Sequence, residues 1–223
     1  MTAKFVEHYK GFTFVANTKE GGTVYPSRLR WSQWQNPRLW HNNDDGSGMS
    51  GYVDVDDVEG EIVSIKKIND ILVVYKEKGI VAITFTGGDT VFSKEVITTK
   101  TGLLSSNAII ELPHSHIFIG EDNIYEFDGS SVTPIGDPIK DFFFDTLNPL
   151  YRAKIIGYYD KSVGDIIFIY DKVVLDEIIG IQEEELAREL NSKKNRNVAI
   201  TFNTSTKTWA KREMYVTAIG EFC

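Results

Sequence analysis

The sequence predicts an all-β fold: a β-propeller built of four-stranded antiparallel blades, about four plus a partial one, with one short helical insertion. Three observations carry that expectation. Short β-branched and aromatic runs alternate with turn residues along most of the chain. The runs fall in groups of four, the content of a blade. The groups also repeat. Ile83-Thr84-Phe85-Thr86-Gly87, Tyr125-Glu126-Phe127-Asp128-Gly129 and Ile200-Thr201-Phe202-Asn203-Thr204 each read as a third strand ending in Phe plus turn residues. Phe85 and Phe127 lie 42 residues apart, and Phe127 and Phe202 lie 75 apart, 26 of which belong to an apparent insertion, Lys172 to Asn197. A four-stranded unit of about 40–50 residues is the period of a propeller blade.

The first blade, near 3–55, takes Phe5 to Tyr9, Phe12 to Ala16, Ser27 to Ser32 and Gly51 to Val55 as strands. A long loop, Gln35 to Ser50, rich in Asn, Asp, Gly and Ser, interrupts it. The second blade, 61–99, is the clearest. Glu61 to Ile68 precedes the run Ile71-Leu72-Val73-Val74-Tyr75, then come the turn Lys76 to Gly79, Ile80 to Phe85, and Val91 to Thr98. Runs joined by short Gly-containing turns read as hairpins. The third blade, 107–137, uses Ala108 to Leu112, Ile117 to Ile119, Asn123 to Phe127 and Ser131 to Ile135. The fourth, 152–214, uses Lys154 to Tyr159, Asp165 to Tyr170, Val198 to Phe202 and Thr208 to Arg212. Its insertion, about 172–197, holds the expected helix at 183–194. There Glu183, Glu184 and Glu185 fill the first turn, Leu186 and Leu190 share a face, and Lys193 and Lys194 follow, in accord with the helix dipole. No other segment is expected to be helical. Tyr215 to Phe222 reads as the first strand of a further blade. One propeller-type domain over 1–223 is therefore expected. Four blades sit at the low end for a closed ring, so the ring is either incomplete or closed by partner strands.

With 223 residues, 42% hydrophobic and 25% charged, the composition is that of an ordinary globular protein. No apolar run nears the roughly 20 residues of a membrane span, and Met1 to Lys10 lacks the apolar core of a signal peptide. The single cysteine, Cys223, excludes an intrachain disulfide and suits synthesis in a reducing cytoplasm. A net charge of −8 argues against tight, sequence-specific DNA binding.

Four constellations have both a chemical and a structural reading. Trp31, Trp34 and Trp40, with Arg28, Arg30 and Arg38, offer stacking surfaces for sugars or bases, or else pack between blades and anchor the long loop. His114 and His116 form H-x-H without an evident third ligand, and Pro113 beside them indicates a turn. Asp54, Asp56, Asp57, Glu59 and Glu61, with Asn42, Asp44 and Asp45 upstream, do not match the EF-hand spacing and read as a solvated edge. Asn203 to Trp209 loosely resembles a turn of sialidase-type propellers and equally fits a plain hairpin with a packing Trp. No nucleophile–base, metal-ligand or phosphate-loop motif is present, so neither an enzyme, a metal nor a cofactor is expected.

Several stretches resemble a known family. Tyr25-Pro26-Ser27-Arg28-Leu29-Arg30-Trp31-Ser32, followed by Asn36-Pro37-Arg38-Leu39-Trp40, is similar to a stretch of the β-propeller structural proteins of tailed-bacteriophage virions. So are Tyr52-Val53-Asp54-Val55, Gly60 to Ile65, Ile71 to Glu77, Asn123 to Gly129, Asn197 to Phe202 and Lys207-Thr208-Trp209, in the same order. That family includes nozzle, hub and neck proteins of the tail. The resemblance implies a non-enzymatic virion protein, made in the host bacterial cytoplasm and built into a ring of its own copies around the DNA channel. Other tail or portal-adaptor proteins would be its neighbours, and duplex DNA would pass without sequence-specific binding. The expected subunit contacts are Arg28, Arg30, Trp34, Arg38 and Trp40, since Arg and Trp favour interface anchors, with Glu184, Arg188 and Lys193 on the charged helix. A carbohydrate-binding or sialidase-like propeller and a protein-interaction scaffold remain the alternatives.

Overall fold

The computed structural model describes residues 1–41, 48–88, 90–172 and 197–213. They form four four-stranded antiparallel sheets, each an up-and-down meander in chain order. The first contains β1 (Thr2–Tyr9), β2 (Phe12–Glu20), β3 (Thr23–Trp31) and β4 (Gly51–Asp54). The second contains β5 (Ile62–Ile68), β6 (Ile71–Lys76), β7 (Ile80–Phe85) and β8 (Phe92–Thr98). The third contains β9 (Ile109–Glu111), β10 (His116–Ile119), β11 (Ile124–Phe127) and β12 (Val132–Pro134). The fourth contains β13 (Ile156–Asp160), β14 (Asp165–Asp171), β15 (Asn197–Asn203) and β16 (Thr208–Glu213). This is the propeller-type, all-β blade architecture that the sequence predicts.

The chain divides into two compact units: Met1–Glu121 with Tyr125–Pro134, and Asp122–Ile124 with Ile135–Cys223. In the first unit, sheet packs on sheet. Phe12, Phe14 and Ala16 alternate on one face of β2 and meet Leu72, Val74, Val81 and Ile83 from the second sheet. Phe92 lies among them, with ring centroids 5.0 Å from Phe12, 4.9 Å from Phe14 and 5.1 Å from Trp31, all edge-on. The opposite face of the second sheet meets the third, where Tyr75 and Phe118 stand 5.3 Å apart. A sheet covered on both faces reads as a continuous apolar run, which is why Leu72 to Lys76 is buried throughout. The first sheet differs. β1 alternates between exposed and partly buried residues along most of its length, the mark of one covered face.

The first blade is longer and more regular than its sequence indicates. β2 and β3 extend to a Gly21–Gly22 turn, through a bulge between Ala16 and Thr18 where Asn17 has φ 54°. The sequence predicts these strands at Phe12 to Ala16 and Ser27 to Ser32 only.

The second unit corrects the expectation that helix is confined to 183–194. α1 (Lys140–Thr146) is a short α-helix, and Pro149–Lys154 forms a 3₁₀ segment. Three successive phenylalanines favour β propensity, but a tertiary contact decides the outcome. Phe143 is buried edge-on against Tyr170 of β14, with centroids 4.6 Å apart, and Thr146 Oγ1 lies 2.8 Å from the Tyr170 hydroxyl. Residues 183–194, with Glu184, Arg188 and Lys193, lie outside the described residues, as does the strand expected at Tyr215 to Phe222.

Candidate functional site

Of the residues expected as contacts, Arg28, Arg30, Trp34, Arg38 and Trp40 belong to the first blade, the two arginines on the face of its sheet turned away from the second and the other three on the loop after β3. Arg28 and Arg30 are two apart on β3, so their side chains leave the same face. Register places Val6 opposite Val15, Val15 opposite Arg30, and Arg30 opposite Tyr52. That row crosses the whole sheet.

Arg28 makes a fork-to-fork pair with Asp54, Nε to Oδ1 and Nη2 to Oδ2, each 2.8 Å. Its guanidinium lies between two rings, 3.8 Å from the centroid of Tyr25 and 4.0 Å from that of Tyr52. Arg30 donates to Glu20 at 2.8 Å and, through Nη2, to the carbonyl oxygen of Trp40 at 2.8 Å, which ties the long loop to the sheet. The two arginine side chains are only 11% and 13% exposed. They serve as internal struts, and the hydrogen-bonded Arg28 guanidinium holds the Asp54 carboxyl below its ordinary range.

Other members of the set reach the surface. Trp34 is 50% exposed and Arg38 is exposed, while Trp40 is half-buried. Trp34 sits in a tight turn closed by a bridge between Gln33 and Asn36, and its indole covers Gly11. A Cβ on Gly11 would stand 2.6 Å from Trp34 Nε1, and Gly11 has φ +82°. Trp31 is internal: its Nε1 donates to the Met49 carbonyl at 2.6 Å, and its ring packs on Phe14 and Phe92. The pattern therefore splits into half-buried struts (Arg28, Arg30, Trp31) and surface groups (Trp34, Arg38). Two further surface residues, Val6 at 68% and Tyr52 at 54% exposure, belong to the same face and were not singled out from sequence. Strict alternation along β4 and β1 is the signal that would have found them.

The remaining constellations disperse. His116 is buried and bonded to Tyr75 and to the Lys67 carbonyl, whereas His114 is exposed in the preceding turn. Within the acidic run, Asp54 pairs with Arg28, Asp57 with Lys94, and Glu61 with Lys4. Asn203 caps its own turn, accepting from the backbone of Ser205 and Thr206, and Trp209 packs 4.8 Å from Phe202 while donating to the Ile135 carbonyl. Lys76 is buried, and its ammonium donates to the carbonyls of Val55 and Val58 and to Ser27 Oγ. It thereby fastens the connector between the first two blades.

No protein-family model matches the chain, and no curated protein matches it. Among solved structures it is similar to the N-terminal domain of Nup159, at 8% identity and a TM-score of 0.48, over 95% of this chain and 47% of that one. It is similar as well to a chain in an S. cerevisiae complex of Dbp5 with Nup159 and Gle1, at 7% identity and a TM-score of 0.49, over 95% and 47%. A Bacteroides fragilis protein described as exported gives 12% identity and a TM-score of 0.42, over 94% and 56%. The chain thus spans about half the length of these structures. At such identities and TM-scores the likeness carries no argument about function.

Proposed function

We propose that this protein is a non-enzymatic structural component of a tailed-bacteriophage tail or neck, assembled as a ring of copies around the DNA channel. The observation that carries the reading is the first-blade face. Two of the stretches that resemble phage propellers, Tyr25 to Ser32 and Asn36 to Trp40, lie on β3 and on the loop that Arg30 ties to it. Their half-buried arginines brace the sheet, and Val6, Trp34, Arg38 and Tyr52 are left facing outward. Tyr52 rests on the Arg28 guanidinium, and a rigid strut behind an exposed aromatic is what an interface anchor requires. A repeated head-to-tail contact of that kind closes into a ring. The net charge of −8 fits a body that lets DNA slide, because few phosphates are neutralised.

The test is the mass of the protein in solution and in particles. A closed cyclic oligomer that Tyr52→Glu or Trp34→Glu reduces to monomer supports the reading. A monomer at all concentrations that binds glycans, and loses that binding with the same substitutions, replaces it with the carbohydrate-binding alternative.

A further inference from the structure

Tyr75 of β6 and Lys67 of β5 belong to the second sheet, and His116 of β10 belongs to the third. His116 is wholly buried between them, and both its ring nitrogens are engaged. Nε2 lies 2.9 Å from the Lys67 carbonyl oxygen, and Nδ1 lies 2.9 Å from the Tyr75 hydroxyl. A carbonyl can only accept, so Nε2 carries the proton. Nδ1 therefore holds a lone pair and accepts from Tyr75 O–H. The neutral ring is satisfied on both sides.

We propose that His116 is an acid-sensitive latch between the second and third blades, closed while the ring is neutral and released when it is protonated. A second proton must bind at Nδ1, where the Tyr75 hydroxyl already donates. That hydroxyl would have to turn its hydrogen away and give up its bond to the ring. Burial pushes the Tyr75 pKa well up, so the hydroxyl does not ionise to receive the charge. The charged groups acting on the ring from the packed elements are Glu111 on β9 and Lys66 on β5. These two pair with each other at 2.7 Å and act on the ring in opposite directions, Glu111 raising its pKa and Lys66 lowering it. His114, on the turn before β10, is exposed and lies by Asn69 of the β5–β6 turn.

Burial is the largest influence on His116 and lowers its pKa from the ordinary 6.5. The sign follows from proton counts. Below pH 6.5 the unfolded chain binds a proton that the folded chain refuses, so stability falls as pH drops through that window. Ordinary carboxylates titrate about two units lower. The other three histidines, His8, His41 and His114, are exposed.

The proposal makes no use of the phage reading and is tested separately, by imidazole NMR and urea unfolding of the purified full chain between pH 7.5 and 5. The expected spectrum shows the Nε2–H form at neutral pH and a titration midpoint below 6.5. Tyr75→Phe removes the hydroxyl donated to the neutral ring and shifts that midpoint upward. The urea midpoint of the native protein drops across the window, while that of His116→Gln stays level. Amide exchange in β10 rises at least tenfold, beyond the intrinsic pH effect, at the acid end. A midpoint at or above 6.5, an unmoved midpoint in Tyr75→Phe, or parallel pH profiles for the native protein and His116→Gln overturns the proposal. Should His116→Gln fail to fold, the native and Tyr75→Phe spectra decide alone.

Discussion

At the scale of single residues, two positions hold the first blade and its link to the second. Gly11 adopts a left-handed backbone and lies beneath the Trp34 indole. Gly11→Ala is expected to lose roughly 1–2 kcal/mol through φ alone, with a further loss as the indole is displaced. Urea unfolding measures the total, and Trp34 fluorescence moving toward that of a solvated indole reports the displacement. Lys76 is the second position. Its ammonium satisfies two carbonyls that water cannot reach from its side, so Lys76→Met leaves Val55 and Val58 oxygens short of partners. The expected cost is about 3 kcal/mol, at about 1–3 kcal/mol per orphaned group. A urea midpoint within error of the native protein would rule out this role.

At the scale of elements, α1 and the β3–β4 pair show how contacts override local preference. The helix is seven residues long, below the length at which an isolated helix persists in water. Its hold is Phe143 against Tyr170, so Phe143→Ala is expected to cost about 3–5 kcal/mol and to abolish the α1 helical signal. The β3–β4 pair is locked by Arg28 and Asp54. Because Arg28 depresses the Asp54 pKa below 3.8, the pair contributes stability above that pH and loses it as pH falls through the lower, folded value. An Arg28→Leu variant is thus expected to show a shallower acid-unfolding profile below pH 4 than the native protein. Its curve above pH 5 should be displaced but parallel.

At the scale of the whole molecule, charge bears on what the protein can hold. Among the described residues, Lys4, Lys66, Lys78 and Lys94 are paired to acids and Arg28 and Arg30 are nearly buried, on a chain of net charge −8. Tight binding to duplex DNA is therefore not expected at physiological salt. Fluorescence anisotropy against salt measures this directly. Sub-micromolar affinity with a steep salt slope would refute the sliding-channel reading, since each released counterion adds to the slope.

The sequence by itself determined the repeat. Among the described residues, each of the sixteen strands overlaps a predicted run, because hairpin turns and period-two burial are local signals that need no tertiary context. β2 and β3 run beyond their predicted ends, to Glu20 and back from Thr23, through the bulge at Asn17 and with Leu29 buried in the core. Residue types alone placed the arginines and tryptophans in one region. Only the tertiary structure separated Arg28, Arg30 and Trp31, spent on internal contacts, from Trp34 and Arg38 at the surface. It alone brought His116 to Tyr75, 41 positions apart in sequence. The physical reason is the same in each case. A side chain's chemistry is written in its own identity, but its burial and its partner come from other strands, in its own sheet for Arg28 and in the neighbouring sheet for His116.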